Sequence, residues 1–198
     1  MPRFPKPTMP PEYPLMLAQM VAKTSWLPHP DTVKALGGAF FPTVRARQGF
    51  PRCSHVMENG QPIGMFDDNA TPSWALLWSH DIQGRRQGWT VAHVWAETDC
   101  IHSFTHAANL ALIPECFGTL TDKTGPLTTF LRWHAWHVYH WKPAQHAQPT
   151  KPDGYDSITW RYFESVLNPK ALILARLKKL NNRRTRVLQP LMESRELQ

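Results

Sequence analysis

The sequence contains no run of 18 or more apolar residues, so no segment is expected to cross a bilayer as a helix. Cysteine is scarce. Cys53, Cys100 and Cys116 are three and odd in number, which excludes a disulfide framework. The first 14 residues, MPRFPKPTMPPEYP, lack the apolar stretch of a secretory signal, and a cytoplasmic location is the expectation. No internal repeat is present, which argues against a solenoid. Charge is also sparse. Only 19% of the 198 residues are charged against 42% hydrophobic, so the chain is expected to bury a core rather than stay disordered. Acid is missing altogether from Lys170 to Pro190. That segment carries Lys170, Arg176, Lys178, Lys179, Arg183, Arg184 and Arg186, seven bases in a chain whose net charge is +7. A concentrated basic stripe is a common footprint of a polyanion partner; a solvated helix face is the plainer reading.

The pattern of elements predicts an α+β fold, mainly helical. Residues 1–14 read as an extended, proline-rich arm, 15–167 as a single globular domain, and 168–198 as a long basic C-terminal helix. Leu15–Lys23 has helical composition, and a second short helix follows Asp31. Phe40–Arg47 and His55–Met65 read as strands and turns, with Asn59-Gly60 as a hairpin signal. Thr71 and Pro72 read as the cap and first residue of a helix continuing through SWALLWSH. Leu127–Trp141 and Ser157–Val166 are expected to be helical. Over Ala171–Leu188, Ile173, Leu177, Leu180, Val187 and Leu191 recur at helical spacing, with Arg176, Lys179, Arg183 and Arg186 as a second stripe.

Gly88–Trp95, GWTVAHVW, reads as a strand with a histidine near its end. Alternation puts Trp89, Val91, His93 and Trp95 on one face. A polar loop follows, then Asn109-Leu110-Ala111-Leu112 as a second strand, then Phe117–Lys123 (FGTLTDK) as a short helix. This order over residues 88–124 resembles the core of the HNH, or His-Me finger (ββα-metal), endonucleases. The resemblance implies metal-assisted hydrolysis of a DNA phosphodiester. His93 would be the general base, Asn109 the residue that fixes the orienting loop, and Mg²⁺, less plausibly Zn²⁺, the ion. At the two usual ligand positions this chain has Ala92 and Gly118, whose side chains bind no metal. Substitutes would come from Glu97, Asp99, His102, His106, Glu115 or Asp122, with Asp122, Glu97 and His106 as the chosen set. Lys123 and Arg132, with Arg176, Lys179, Arg183 and Arg186, are the candidate contacts to nucleic acid. Alternatives remain: a nucleic-acid-binding module whose core has lost catalysis, an assembly subunit contacting other proteins, or a core histidine in an unrelated fold.

Other constellations read as structural. Cys53-Ser-His55 and Cys100-Ile-His102 have a residue set that zinc accepts but not a common zinc spacing. Asp67-Asp68-Asn69 reads as a loop capping the next helix. His134 and His137, among Trp133, Trp136, Tyr139 and Trp141, read as part of a core helix, with base stacking as the sharper alternative.

Overall fold

The computed structural model describes residues 10–84, 87–121 and 125–196. The fold is α+β. Helices α1 (Tyr13–Thr24), α2 (Pro30–Leu36), α3 (Ala70–Trp78), α4 (Pro126–Tyr139), α5 (Pro169–Lys178) and α6 (Arg183–Glu196) surround two small sheets. One sheet is built from β1 (Thr43–Arg45), β2 (His55–Glu58) and β3 (Gln61–Asp67) in the order β1-β3-β2. The other is an antiparallel pair, β4 (Trp89–His93) and β5 (Leu110–Pro114). No described helix is long and apolar enough to cross a membrane.

The β2–β3 hairpin follows from Asn59-Gly60. Both residues have positive φ, 49° and 77°, as a tight primed turn requires. Its far strand, β3, pairs in parallel with β1, so that Arg45 lies opposite Asp67. The two strands approach closely where Gly64 lies: a Cβ there would stand 2.7 Å from the Pro42 carbonyl oxygen. The end of β1 and the loop leaving β3 are thereby brought to one edge.

The β4–β5 pair lies between two apolar clusters, which explains why β5 is apolar throughout and β4 is apolar at Trp89, Val91 and Ala92. Val91, Leu110 and Leu112 pack toward α3 and α5, with Phe41, Leu76 and Ile173. Ala92, Val94, Ala111 and Ile113 pack toward α1 and α4, with Val21, Leu127 and Leu131. Trp95 joins the second cluster, so alternation ends at the strand's end and Trp95 leaves the face of Val91. An antiparallel bridge from Trp26 to Leu112 extends the sheet on its other side.

Three helix expectations need correction. The helix after the Asp67-Asp68-Asn69 loop begins at Ala70, with Asn69 at the cap position and Thr71 inside. The Asp68 and Asp67 carboxylates accept from the Ala70 and Thr71 amides and do the work expected of Thr71. The Thr71 hydroxyl instead bonds that of Thr43 in the core.

Ser157–Val166 is not a helix. After a 3-10 turn at Tyr155–Ser157 the chain runs extended, and Leu27 exchanges backbone bonds with Arg161 and Phe163. Thr159, Trp160, Tyr162 and Phe163 are β-branched or aromatic, and a free edge at Leu27 decides for extended backbone.

The single C-terminal helix is two helices broken at 179–182. Asn182 accepts from the Thr185 amide, and the Thr185 hydroxyl reaches back to the Leu180 carbonyl. Side chains that bond their own backbone compete with a continuous helix. Nor does this segment stand apart. Ile173, Leu177, Leu188, Leu191 and Met192 share the core of Leu76 and Val91. The division at residue 168 is therefore not a structural one.

Candidate active site

His93 is the last residue of β4, half-buried, and its ring lies parallel to that of Phe104 with centroids 5.1 Å apart. Its Nε2 is 3.0 Å from the Phe104 carbonyl oxygen. A carbonyl only accepts, so Nε2 carries the hydrogen and donates it. In the neutral ring the lone pair is then on Nδ1. Among the described residues Nδ1 has no hydrogen-bond partner. Burial pushes the imidazole down to about 4, the Phe104 carbonyl opposes this, and the Arg45 guanidinium adds to it. At neutral pH His93 is an uncharged ring with one free lone pair.

The loop that presents Phe104 runs from Val94 to Thr105, and Asn109 ties it down. Asn109 is fully buried in a 3-10 turn just before β5. Its Oδ1 accepts from the Trp95 amide at 2.7 Å, its Nδ2 donates to the Ser103 carbonyl at 2.9 Å, and its own carbonyl accepts from Val94. One side chain thus pins both ends of the loop whose Phe104 fixes the His93 tautomer. Thr105 fastens the same loop to the core by bonding the amide and the carbonyl of Phe41. Asn109→Ala leaves the buried Trp95 amide and Ser103 carbonyl without these partners. The expected loss is about 2–4 kcal/mol, read as a lowered urea midpoint.

His93 opens on a cleft of about 210 Å³ that Arg45, Asn69, Thr98 and Thr121 also line. The Glu115–Thr121 3-10 helix closes one wall, with Gly118 so near β4 that a Cβ would lie 3.3 Å from the Thr90 methyl. Arg45 and Asn69 come from the edge where β1 meets the end of β3. The Arg45 amide donates to the Thr98 carbonyl, joining that edge to the loop after His93. Nothing in the spacing along the chain linked Arg45 to His93. Their meeting depends on the parallel β1–β3 pair, a long-range contact. The only local hint was Asn69, placed in a polar loop before a helix.

The other candidates are engaged elsewhere. Glu97 accepts from the side chains of His146 and Gln145. His106 is buried: its Nδ1 accepts from the Ala108 amide, and its ring stacks on Trp141 at 4.3 Å. Neither lines the cleft. No three His, Cys, Asp or Glu residues among those described are grouped to hold a metal, the two Cys-x-His pairs included. Asp122 and Lys123 lie outside the described residues.

The Arg132 Nε donates to the Val94 carbonyl, and the guanidinium lies 5.9 Å from the Trp95 ring. Arg132 therefore braces the end of β4. Arg176 pairs with Asp81 and donates to the Ile82 carbonyl, an anchor of α5 on the turn after α3. Lys179, Arg183 and Arg186 are exposed, but the break before α6 separates Lys179 from the other two. His134 is a core residue, held between the hydroxyls of Tyr155 and Tyr162, while His137 is exposed and stacks on Trp133.

Burial depresses several imidazoles: His80, His93 and His106 to about 4 and His134 to about 3. In the unfolded chain they titrate near 6.5. Between those values the unfolded chain binds more protons, so stability is full above about pH 6.5 and falls as the pH drops toward 4. A urea midpoint that declines steadily from pH 7 to 4.5 is expected.

No family model, curated protein or solved structure matches this chain.

Proposed function

We propose that the chain is an HNH-like nuclease that hydrolyses phosphodiesters of nucleic acid, DNA in the first instance, with His93 as general base. The observation that carries this reading is the His93 ring itself. Its Nε2–H is committed to the Phe104 carbonyl, and its Nδ1 lone pair has no partner among the described residues. A ring oriented in this way takes a proton from a water molecule in the cleft. The water oxygen bonds to phosphorus as the leaving ester oxygen departs. The hairpin order supports the reading: β4 ending in His93, a loop tied by Asn109, β5, then a 3-10 helix packed against β4.

The divalent ion that the family resemblance implies fits the described residues poorly. Mg²⁺ is held through carboxylates and water, whereas the polar side chains that line this cleft are the Asn69 amide, the hydroxyls of Thr90, Thr98 and Thr121, the Arg45 guanidinium and the His93 ring, with no carboxylate among the described residues. No step is therefore routed through a metal. This lining also favours one second reading, a nucleic-acid-binding module without turnover. Plasmid nicking separates the two. Nicking that His93→Ala abolishes supports the nuclease. A salt-sensitive gel shift with no nicking, with or without Mg²⁺ or Mn²⁺, supports the binding module.

A further inference from the structure

Arg45 carries a charge with no counter-charge among the described residues. The arginines nearby are paired: Arg47 with Asp99, Arg52 with Asp68, and Arg184 with Asp67 and Asp68. Among the described residues the Arg45 side chain makes no ion pair and no hydrogen bond, and its guanidinium carbon lies 5.6 Å from the Phe104 ring centroid. It is nonetheless half-buried at the end of β1. A guanidinium partly withdrawn from water gains from an anionic partner, and its fork of donors fits one. The other groups facing the cleft suit the same occupant. His93 is neutral there, and Asn69, Thr98 and Thr121 offer uncharged polar groups, while no carboxylate among the described residues lines the wall to repel an anion. Asn69, at the cap position of α3, makes no capping bond with its side chain, which leaves its amide available.

We infer that this cleft is a binding site for a phosphate-class oxyanion, with Arg45 as its counter-charge, and that the anion is held without a divalent cation. The planar guanidinium presents paired donors to two oxygens of a tetrahedral anion, and Phe104 keeps the plane in place. An anion seated there lies between the His93 ring and the Arg45 guanidinium, both of which line the cleft. The inference rests on the reading of the cleft as a phosphodiester site, yet its test needs no turnover.

The test is a titration of the full chain with inorganic phosphate in EDTA at pH 7, followed by nitrogen-15 NMR of the histidine rings. A saturable shift of the His93 ring signals is expected, with sulfate competing. Arg45→Met is expected to weaken binding at least tenfold, and Arg45→Lys, which keeps the charge but not the fork, to weaken it less. Urea midpoints of both variants near that of the parent chain exclude misfolding as the cause. No shift in EDTA overturns the inference, as does binding that appears only on adding Mg²⁺ or that Arg45→Met leaves unchanged. Nicking without phosphate binding in EDTA overturns the inference alone. Phosphate binding without nicking upholds it and overturns the nuclease reading.

Discussion

His93→Ala is expected to abolish nicking while leaving the fold intact, a loss of about 10²–10⁴-fold in rate. The substitution removes the base and the bond to the Phe104 carbonyl together. That carbonyl is held in a loop fixed independently by Asn109 and Thr105, so the loop keeps its path. His93→Gln is the informative companion. Its amide can donate to the same carbonyl but is no base at neutral pH, so it is expected to be as inactive as the alanine variant. If His93→Gln restores cleavage, the imidazole only braces the loop and the role of base falls. The pH profile gives a second reading. With His93 near 4, the free protein holds its base unprotonated well below neutrality, and kcat/KM is expected to stay flat from pH 8 down to about 5. A bound phosphodiester places negative charge beside Arg45 and the ring, which favours imidazolium. The acid limb of kcat is therefore expected at higher pH than that of kcat/KM.

What the sequence disclosed was the part built from neighbours along the chain. The strand ending in His93, the strand after Asn109, the Asn59-Gly60 hairpin and the helix expected over Leu127–Trp141, which runs from Pro126 to Tyr139, all follow from local periodicity or turn chemistry. Asn109 as the residue tying the loop came from the resemblance of residues 88–124 to the HNH core, and it lies in the 3-10 turn just before the strand that pairs with the histidine's own strand. What stayed hidden depends on contacts between distant segments. Arg45 reaches the cleft only because β1 pairs with β3 across the hairpin between them. The extended run near Tyr162 exists because Leu27 offers it an edge. The C-terminal basic stripe looked continuous because charge periodicity carries no information about the Asn182 cap that breaks the helix. Composition misled for the same reason at Arg176 and Arg184. Both were read as part of a surplus of charge, and both are anchored to aspartates within the fold.

Arg184→Ala is expected to lower stability by about 3–5 kcal/mol. Asp67 has no exposed surface, and its two oxygens are divided between the Thr71 amide and the Arg184 Nε at 2.8 Å. Arg184 also reaches Asp68 at 3.3 Å, and its guanidinium lies 5.4 Å from the Trp74 ring. Asp68 accepts from Arg52 and the Ala70 amide, bonds that hold its carboxyl below the usual range against the opposing effect of burial. Removing Arg184 leaves a carboxylate in the interior with a single bond, and the desolvation of that charge is no longer offset. Asp67→Asn removes the charge but keeps an oxygen for the Thr71 amide. In the Arg184→Ala background it is therefore expected to recover part of the loss, as the urea midpoints of a double-mutant cycle would record. Additive losses in that cycle would mean that Asp67 and Arg184 do not stabilise the fold as a pair. The same contact bears on the cleft. Arg184 comes from α6, and Asp67 and Asp68 form the loop that delivers Asn69 to the wall facing His93. An Arg184→Ala protein that remains folded at low temperature is expected to bind phosphate more weakly, although Arg184 does not itself line the site.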